Sequence, residues 1–330
     1  TPQHDPGADT GLPDTNHLMI MAYGGPDSLD DVRPYLLDVR NYRETSEHVF
    51  AEITDRYRQI GGRSPILELT QAEAKGIEDS LNELAAPGER WKVWVGMRHW
   101  HPFIKDTLAA MEAEGVSRTM GLVMAPHYSR MSIGAYFKRA AEAGSPVEIV
   151  PVEDWHLLPA YLDALAERVN AALEAFPEAV RADVPVIFSA HSLPARILEW
   201  NDPYPTVLRE TVDALTERLP GRAWKWAYQS AAMTPDPWLG PDAGDVITEL
   251  AGDGHKHILI SPIGFICEHV EILYDIDIEY QQLAGDLSVQ LERIEMLNAH
   301  PGMLAGLAGL VRGKAVEAGL VADSVEAAAS

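Results

Sequence analysis

Short apolar runs of strand length recur along the chain, at residues 18–22, 93–96, 120–125, 147–152, 184–189, 224–228 and 258–262. A weaker, alternating run follows at 289–294. Between most of them lie stretches with helical spacing of apolar positions, at 30–39, 49–59, 70–84, 103–114, 134–143, 159–175, 205–219 and 242–251. Strands that alternate with helices predict an α/β fold with parallel sheet. Eight strands fit a closed barrel or two open sheets of four, and we favour two doubly wound halves. The chain would leave its fourth strand near residues 153–158. The expected organisation is a disordered lead-in (1–16), a first α/β domain (17–155), a second (156–300), and a C-terminal helix and tail (301–330). The lead-in is rich in Pro, Gly and Asp, which cannot bury enough apolar surface to order itself. Residues 303–316 read as an amphipathic helix and 321–330 as an Ala-rich fray.

With 330 residues, of which 46% are hydrophobic and 23% charged, the chain has ample material for two cores. No run approaches the roughly 18 apolar residues of a membrane helix, so no integral membrane segment is expected. The lone cysteine, Cys267, cannot form an internal disulfide and fits a reducing, cytoplasmic setting. The net charge is −24, divided unevenly: −7 over residues 1–150 and −17 over the remainder. That excludes a nucleic-acid partner. The imbalance suggests anion contacts in the first half and cation handling in the second, although acidity that merely keeps a protein soluble would look the same.

In doubly wound sheets ligands gather at the carboxyl ends of strands. The run at 18–22 ends in Tyr23-Gly24-Gly25-Pro26, and that at 93–96 leads into Met97-Arg98-His99-Trp100-His101. Pro126-His127-Tyr128-Ser129 follows the third strand, Ala190-His191-Ser192-Leu193-Pro194 the fifth, Gln229-Ser230 the sixth, and Gly264-Phe265 then Glu268-His269 the seventh. A single strand-end histidine is most often a satisfied core residue. Recurrence across several strands favours a site.

The segment after the seventh strand adds acid. Glu268, Glu271, Asp275 and Glu279 are spaced by three and four residues, so an α-helix would place them on one face, with Val270, Leu273, Tyr274 and Ile278 opposite. Like charges at that spacing repel, and a bound cation relieves the repulsion. Oxygen ligands with a nearby imidazole make a mixed site suited to iron. From the residues alone, metal handling and a plain solvated face fit about equally.

Longer motifs go further. Ser189-Ala190-His191-Ser192-Leu193-Pro194, Tyr228-Gln229-Ser230, Thr234-Pro235-Asp236-Pro237-Trp238-Leu239-Gly240-Pro241, and Pro262-Ile263-Gly264-Phe265 through Glu271-Ile272-Leu273-Tyr274-Asp275 resemble ferrochelatases, in the right order over about residues 18–297. Met21-Ala22-Tyr23-Gly24, Asp55-Arg56-Tyr57, Ile60-Gly61-Gly62-Arg63-Ser64-Pro65 and Asp202-Pro203-Tyr204-Pro205 narrow the resemblance to the bacterial coproporphyrin ferrochelatases. The resemblance implies two Rossmann-like domains, each with a four-stranded parallel sheet flanked by helices, and a porphyrin cleft between them. It implies His191 and Glu271 as the catalytic, metal-handling pair, and Tyr23 approaching the metal from the other side as axial ligand to the product iron. It places Arg40, Arg56, Tyr57, Ser64 and Tyr136 on propionate-holding positions, His99 at an inner-cleft position, and Asp275 and Glu279 on an outer metal-binding line. Gly25 stands where a Thr is common, which predicts a more flexible first loop.

The implied reaction inserts Fe2+ into coproporphyrin III to give coproheme, with iron as substrate. An iron–sulfur cluster, which usually takes four Cys ligands, is not expected with one cysteine. Metallation exchanges two pyrrole protons for one dication. His191 suits proton removal because a free imidazole titrates near ~6.5. Glu271 suits a hard cation, and guanidinium forks suit propionates. Arg98, Arg130, Lys138 and Arg139 are further propionate candidates, and Trp100, Phe103 and Trp238 candidate walls. Enzymes upstream and downstream in heme synthesis are candidate protein partners. Two competing readings are a ferrochelatase for protoporphyrin IX and a non-catalytic tetrapyrrole or metal carrier. A cobalt or nickel chelatase for sirohydrochlorin-type rings is disfavoured by the Tyr23 segment.

Overall fold

The computed structural model describes residues 15–232 and 234–321. The first sheet comprises β1 (Thr15–Ala22), β2 (Arg90–Met97), β3 (Arg118–Val123) and β4 (Glu148–Val152), in the order β2-β1-β3-β4. The second comprises β5 (Val186–His191), β6 (Trp224–Gln229), β7 (His257–Pro262) and β8 (Gln290–Arg293), in the order β6-β5-β7-β8. All neighbouring strands are parallel. The two sheets therefore repeat one topology. In each, the strand order reverses beside the first strand, β1 or β5, and at such a switch point a crevice opens beyond the carboxyl ends. Tyr23 follows β1, and His191 is the last residue of β5, in register with Gln229.

Helices cover both sheets: α1 (Val32–Val39), α2 (Glu47–Gln59), α3 (Ile66–Leu84), α4 (Ile104–Ala113) and α5 (Ile133–Glu142) in the first half, then α6 (Pro159–Leu173), α7 (Tyr204–Arg218), α8 (Ala243–Gly252), α9 (Val270–Leu273), α10 (Gln281–Asp286) and α11 (Pro301–Glu317). The central strands β1, β3, β5 and β7 are buried on both faces over most of their length, as covered parallel strands must be, and the edge strands only in part. Leu18, Met19, Ile20 and Met21 are all fully buried, each worth roughly 1.5–3 kcal/mol by transfer. The ends of several elements differ from the apolar pattern. Thr15 and Asn16, expected in the lead-in, belong to β1 and pair with Arg90 and Trp91. The first part of that lead-in, 1–14, and the expected fray at 322–330 lie outside the described residues. Helix α3 begins at Ile66 rather than at 70, because Pro65 sits at its N-cap with helical backbone angles.

One large apolar cluster runs through both halves. It joins Leu18, Ile20 and Leu122 of the first sheet to Val186, Phe188 and Leu259 of the second, through α3, α6 and α11. Helix α11 follows the second sheet in sequence yet packs on α3 and α6, and Arg312 reaches back to Glu89 at 2.9 Å. A polar seam complements the apolar one. His127 Nε2 bonds Thr211 Oγ1 of α7 at 2.8 Å, and Asp202 accepts from Ser129 Oγ at 3.1 Å and from the Arg130 amide at 2.9 Å.

His127 is fully enclosed in this seam, and burial, aided by nearby His156, lowers its pKa to about 3. The folded protein thus refuses a proton that the unfolded chain accepts below about pH 6.5. Stability from neutral His127 is complete above that pH and is lost as pH falls toward 3. Between pH 7 and pH 5, denaturant titration should show the wild type losing on the order of 1–2 kcal/mol more stability than His127→Gln, which keeps a donor for Thr211. Parallel pH dependence in the two proteins would contradict this.

Candidate active site

A cavity of about 300 Å³ lies between the sheets, lined from the first half by Tyr23, Ser64 and Tyr136 and from the second by His191, Tyr204 and Glu271. His191 ends β5. Glu271 stands in the first turn of α9, which starts after the loop leaving β7. Their side chains meet, His191 Nε2 to Glu271 Oε1, at 3.2 Å. Each partner is held from behind. His191 Nδ1 donates to the Ser192 carbonyl, and Tyr204 Oη donates to the His191 carbonyl at 2.9 Å. Gln229 Nε2 donates to the Glu271 carbonyl at 3.3 Å, and the Gln229 Oε1 accepts from Ser189 Oγ at 2.8 Å. His269 Nε2 approaches Glu271 Oε2 at 3.3 Å.

This geometry changes the expected proton state of His191. Burial alone would lower its pKa, but the Glu271 carboxylate more than reverses that and lifts it to about 9. Burial would raise Glu271, yet the His191 and His269 imidazoles outweigh it and hold the carboxyl well below its usual range. At neutral pH the pair is imidazolium and carboxylate, not the free imidazole read from the sequence.

Tyr23 stands on the facing wall. Desolvation lifts its phenol to about 12, with Arg98 opposing, so it is neutral at rest. Behind it the His99 ring packs at 4.6 Å. His99 Nδ1 lies 2.7 Å from Asp38 Oδ1, and Arg139 caps the same carboxylate oxygen. Burial holds His99 near a pKa of about 4, so it props the tyrosine as a neutral ring and does not itself line the cavity. Gly24 has φ +89°, and a Cβ there would meet the Trp100 amide nitrogen at 2.9 Å. At Gly25 a Cβ would sit 2.5 Å from the Ser64 Cβ. The glycine is thus a close-packing position that lets Ser64 reach the cavity wall, rather than a source of the loop flexibility expected from it.

The acidic segment departs from a simple helix. Residues Asp275–Tyr280 form a π-helical turn, in which the Glu279 amide donates to the Tyr274 carbonyl at 3.0 Å. The buried face is Ile272, Ile276 and Tyr280, not Val270, Leu273, Tyr274 and Ile278. Glu268 precedes the helix and turns to Arg293 at 3.6 Å, leaving the acidic line. Asp275 and Glu279 remain related through Arg56, whose guanidinium contacts Glu52 at 3.0 Å, Asp275 at 3.4 Å and Glu279 at 3.8 Å. Burial and the Glu271 charge raise Asp275 to about 6, while Ser230 Oγ donates to it at 2.5 Å.

The chain matches the family model described as Ferrochelatase over residues 16–315. It belongs to the ferrochelatase family. Two relatives, the ferrochelatases of Herpetosiphon aurantiacus and Deinococcus radiodurans, are each 40% identical, over 90% and 91% of this chain and 98% and 96% of theirs. The coproporphyrin III ferrochelatase of Listeria innocua is 37% identical, over 89% of this chain and 96% of that one. A solved structure of SirB from Bacillus subtilis with Fe3+ shares the fold, with a TM-score of 0.54 at 12% identity, covering 92% of this chain and 97% of that one. As a ferrochelatase the protein takes ferrous iron and a porphyrin as substrates. Among the described residues no helix is long and apolar enough to cross a membrane.

On this ferrochelatase the residues named from sequence divide by position. His191, Glu271, Tyr23, Tyr57, Ser64 and Tyr136 line the cavity, and so does Arg98, an arginine beside the His191 imidazolium. Arg40 caps α1 on the exposed surface, away from the cavity lining. Arg130 is exposed, Lys138 pairs with Glu142 at 3.8 Å, and Arg139 is taken by Asp38. Trp100 is enclosed among Tyr35, Tyr57 and Val32, and neither it, Phe103 nor Trp238 is a cavity wall. Glu73, Thr70 and His269 also line the cavity. Glu73 left one trace in the sequence, its place in the buried stripe Ile66, Thr70, Glu73, Ile77 of α3.

Arg56 pairs with Asp275 and Glu279, the two carboxylates expected from the sequence on an outer metal-binding line. In calorimetric titration near pH 7.5, Arg56→Gln should bind a divalent cation several-fold more tightly than wild type, and Asp275→Asn more weakly. Equal affinity in all three would separate Arg56 from the metal path.

Proposed function

We propose that this ferrochelatase inserts Fe2+ into coproporphyrin III, giving coproheme. The supporting observation is the His191–Glu271 ion pair, 3.2 Å apart, in one cavity with the Tyr23 phenol. A porphyrin seated there would have the ion pair on one face and the phenol on the other. Relatives at 37–38% identity are named coproporphyrin III ferrochelatases, and the Tyr23 and Asp202-Pro203-Tyr204-Pro205 segments resemble that branch.

The chemistry follows from competition for charge. Asp275 and Glu279 guide a hydrated dication inward, exchanging water for carboxylate oxygen. At Glu271 the dication displaces the imidazolium as partner. Without its carboxylate partner the buried imidazolium loses its proton to water, and the neutral imidazole is then free to accept a pyrrole proton as a positioned base. The cavity walls bend the macrocycle with binding energy drawn from its rim. Ser64, Tyr57, Tyr136 and Arg98 hold propionates there, with Arg56 exchanging its carboxylates for another. Tyr23 takes an axial place on the product iron.

His191→Ala should lower anaerobic iron insertion by about 10²-fold or more, with an unchanged far-ultraviolet circular dichroism spectrum. Full activity in that variant would sink the assignment of His191. The substrate is decided by turnover of the two porphyrins with wild type. We expect a clear preference for coproporphyrin III, and a preference for protoporphyrin IX would refute the choice. Tight binding of both without metallation would make the protein a carrier.

A further inference from the structure

We propose that Asp202 is a positioning residue, which fixes the spacing between the porphyrin-holding wall of the first half and the His191 base of the second. The proposal rests on the iron-insertion reading above, and it gives the Asp202-Pro203-Tyr204-Pro205 segment a role. Asp202 is buried just before α7. Its two carboxylate oxygens serve different halves of the chain. Oδ1 accepts from the Tyr204 amide at 3.0 Å. That bond satisfies one of the free N–H groups at the start of α7, as a local cap does. A cap needs one oxygen. The other, Oδ2, accepts from the Ser129 hydroxyl at 3.1 Å and the Arg130 amide at 2.9 Å, both on the loop that leaves β3.

Each arm ends at the cavity. On the first-half arm, Ser129 Oγ also accepts from the Met131 amide at 3.2 Å. Met131 and Ser132 line the cavity, and the Met131 carbonyl accepts from Arg98 Nη1 at 3.4 Å. Met131 also crosses the seam and packs on the apolar cluster that holds Ile197, Tyr204 and Tyr228. On the second-half arm, the Tyr204 hydroxyl donates to the His191 carbonyl at 2.9 Å, and Tyr204 itself lines the cavity. One carboxylate thus stands between the loop that holds Arg98 and the residue that holds His191, and hydrogen bonds make each link.

The spacing matters because macrocycle and base are held by different halves. Ser64, Arg98 and Tyr136 line the cavity from the first half, and His191 ends β5 in the second. A pyrrole proton passes only within hydrogen-bond reach of the imidazole, and about 1 Å of misplacement can cost on the order of 10²-fold in rate. The shared apolar core joins the halves through α3, α6 and α11. Asp202 joins them at the wall of the cleft, through oxygens that only accept and therefore dictate where each donor sits.

The test uses the full chain with Asp202→Asn, Ser129→Ala, Tyr204→Phe and the Ser129→Ala/Tyr204→Phe double variant, each checked for fold by circular dichroism. Asp202→Asn keeps the volume but, whichever way the amide turns, sets an NH2 group against the donors of one arm. It should lower kcat for iron insertion by about ten-fold or more, with KM for coproporphyrin III within about two-fold of wild type. Resonance Raman bands of out-of-plane distortion in bound, metal-free coproporphyrin III should weaken. Ser129→Ala and Tyr204→Phe should each lower kcat. Because Asp202 joins the two arms, their losses should overlap, leaving the double variant little slower than the slower single. That cycle decides the matter if Asp202→Asn fails to fold. Unchanged kcat and Raman bands in folded Asp202→Asn, a loss confined to KM, or cycle losses that are absent or simply multiply would each overturn the proposal. A wild type that binds coproporphyrin III without metallating it overturns the parent reading instead, and the Raman comparison then judges Asp202 separately.

Discussion

The centre of this protein is an ion pair that solvent would weaken and burial alone would neutralise. His191 and Glu271 sit 3.2 Å apart on different elements, the last residue of one strand and the first turn of a helix that follows another. Each stays charged because the other is there: Glu271 lifts the imidazole to about 9, and the imidazole holds the carboxylate down. Without Glu271 burial would leave His191 neutral, and without His191 the Glu271 carboxylate would keep only His269 beside it. Tyr204 and Gln229 bind the backbone of the pair, and the Ser192 carbonyl accepts from the imidazolium ring itself. They turn two chain ends into one fixed distance.

The surrounding cleft is asymmetric in a way that suits exchange of protons for a cation. On the α9 side Glu271 lines the cavity, and Asp275 and Glu279 of the π-helical turn that follows pair with Arg56. The α3 and β3 side carries buried polar groups without charge, Glu73 and His127. The Tyr23 wall is a stack of neutral rings backed by an Asp38–His99–Arg139 cluster. Each state follows from local surroundings: a carboxyl beside imidazoles ionises, whereas one buried alone does not.

The repeated topology makes that asymmetry possible. Both sheets reverse strand order beside their first strand, so both open a crevice at the same relative place, and the shared core clamps one crevice against the other. Helix α11 helps by crossing back to pack on α3 and α6. Without it the Glu73-bearing helix would lose one of its apolar neighbours.

Much of this is written in local order. Continuous apolar runs of strand length and period-3.6 patterning determined the alternating strands and helices, because each depends on residues adjacent in the chain. The strand-end residues and motifs singled out His191, Glu271 and Tyr23, since a strand's last side chain points into the crevice wherever its sheet packs. Distances and proton states were decided by tertiary structure alone. The spacing of Glu268, Glu271, Asp275 and Glu279 describes an α-helix, but packing of Ile272, Ile276 and Tyr280 accompanies a π-helical turn, and Arg293 draws Glu268 away. Arg40 and Arg56 look alike in sequence, yet one ends on the surface and the other between two carboxylates 219 and 223 positions away. The charge on His191 and the neutrality of Glu73 belong to the same class. A pKa depends on what lies within a few ångströms: for His191 that is Glu271, from the helix after another strand, and Glu73 has no counter-charge beside it.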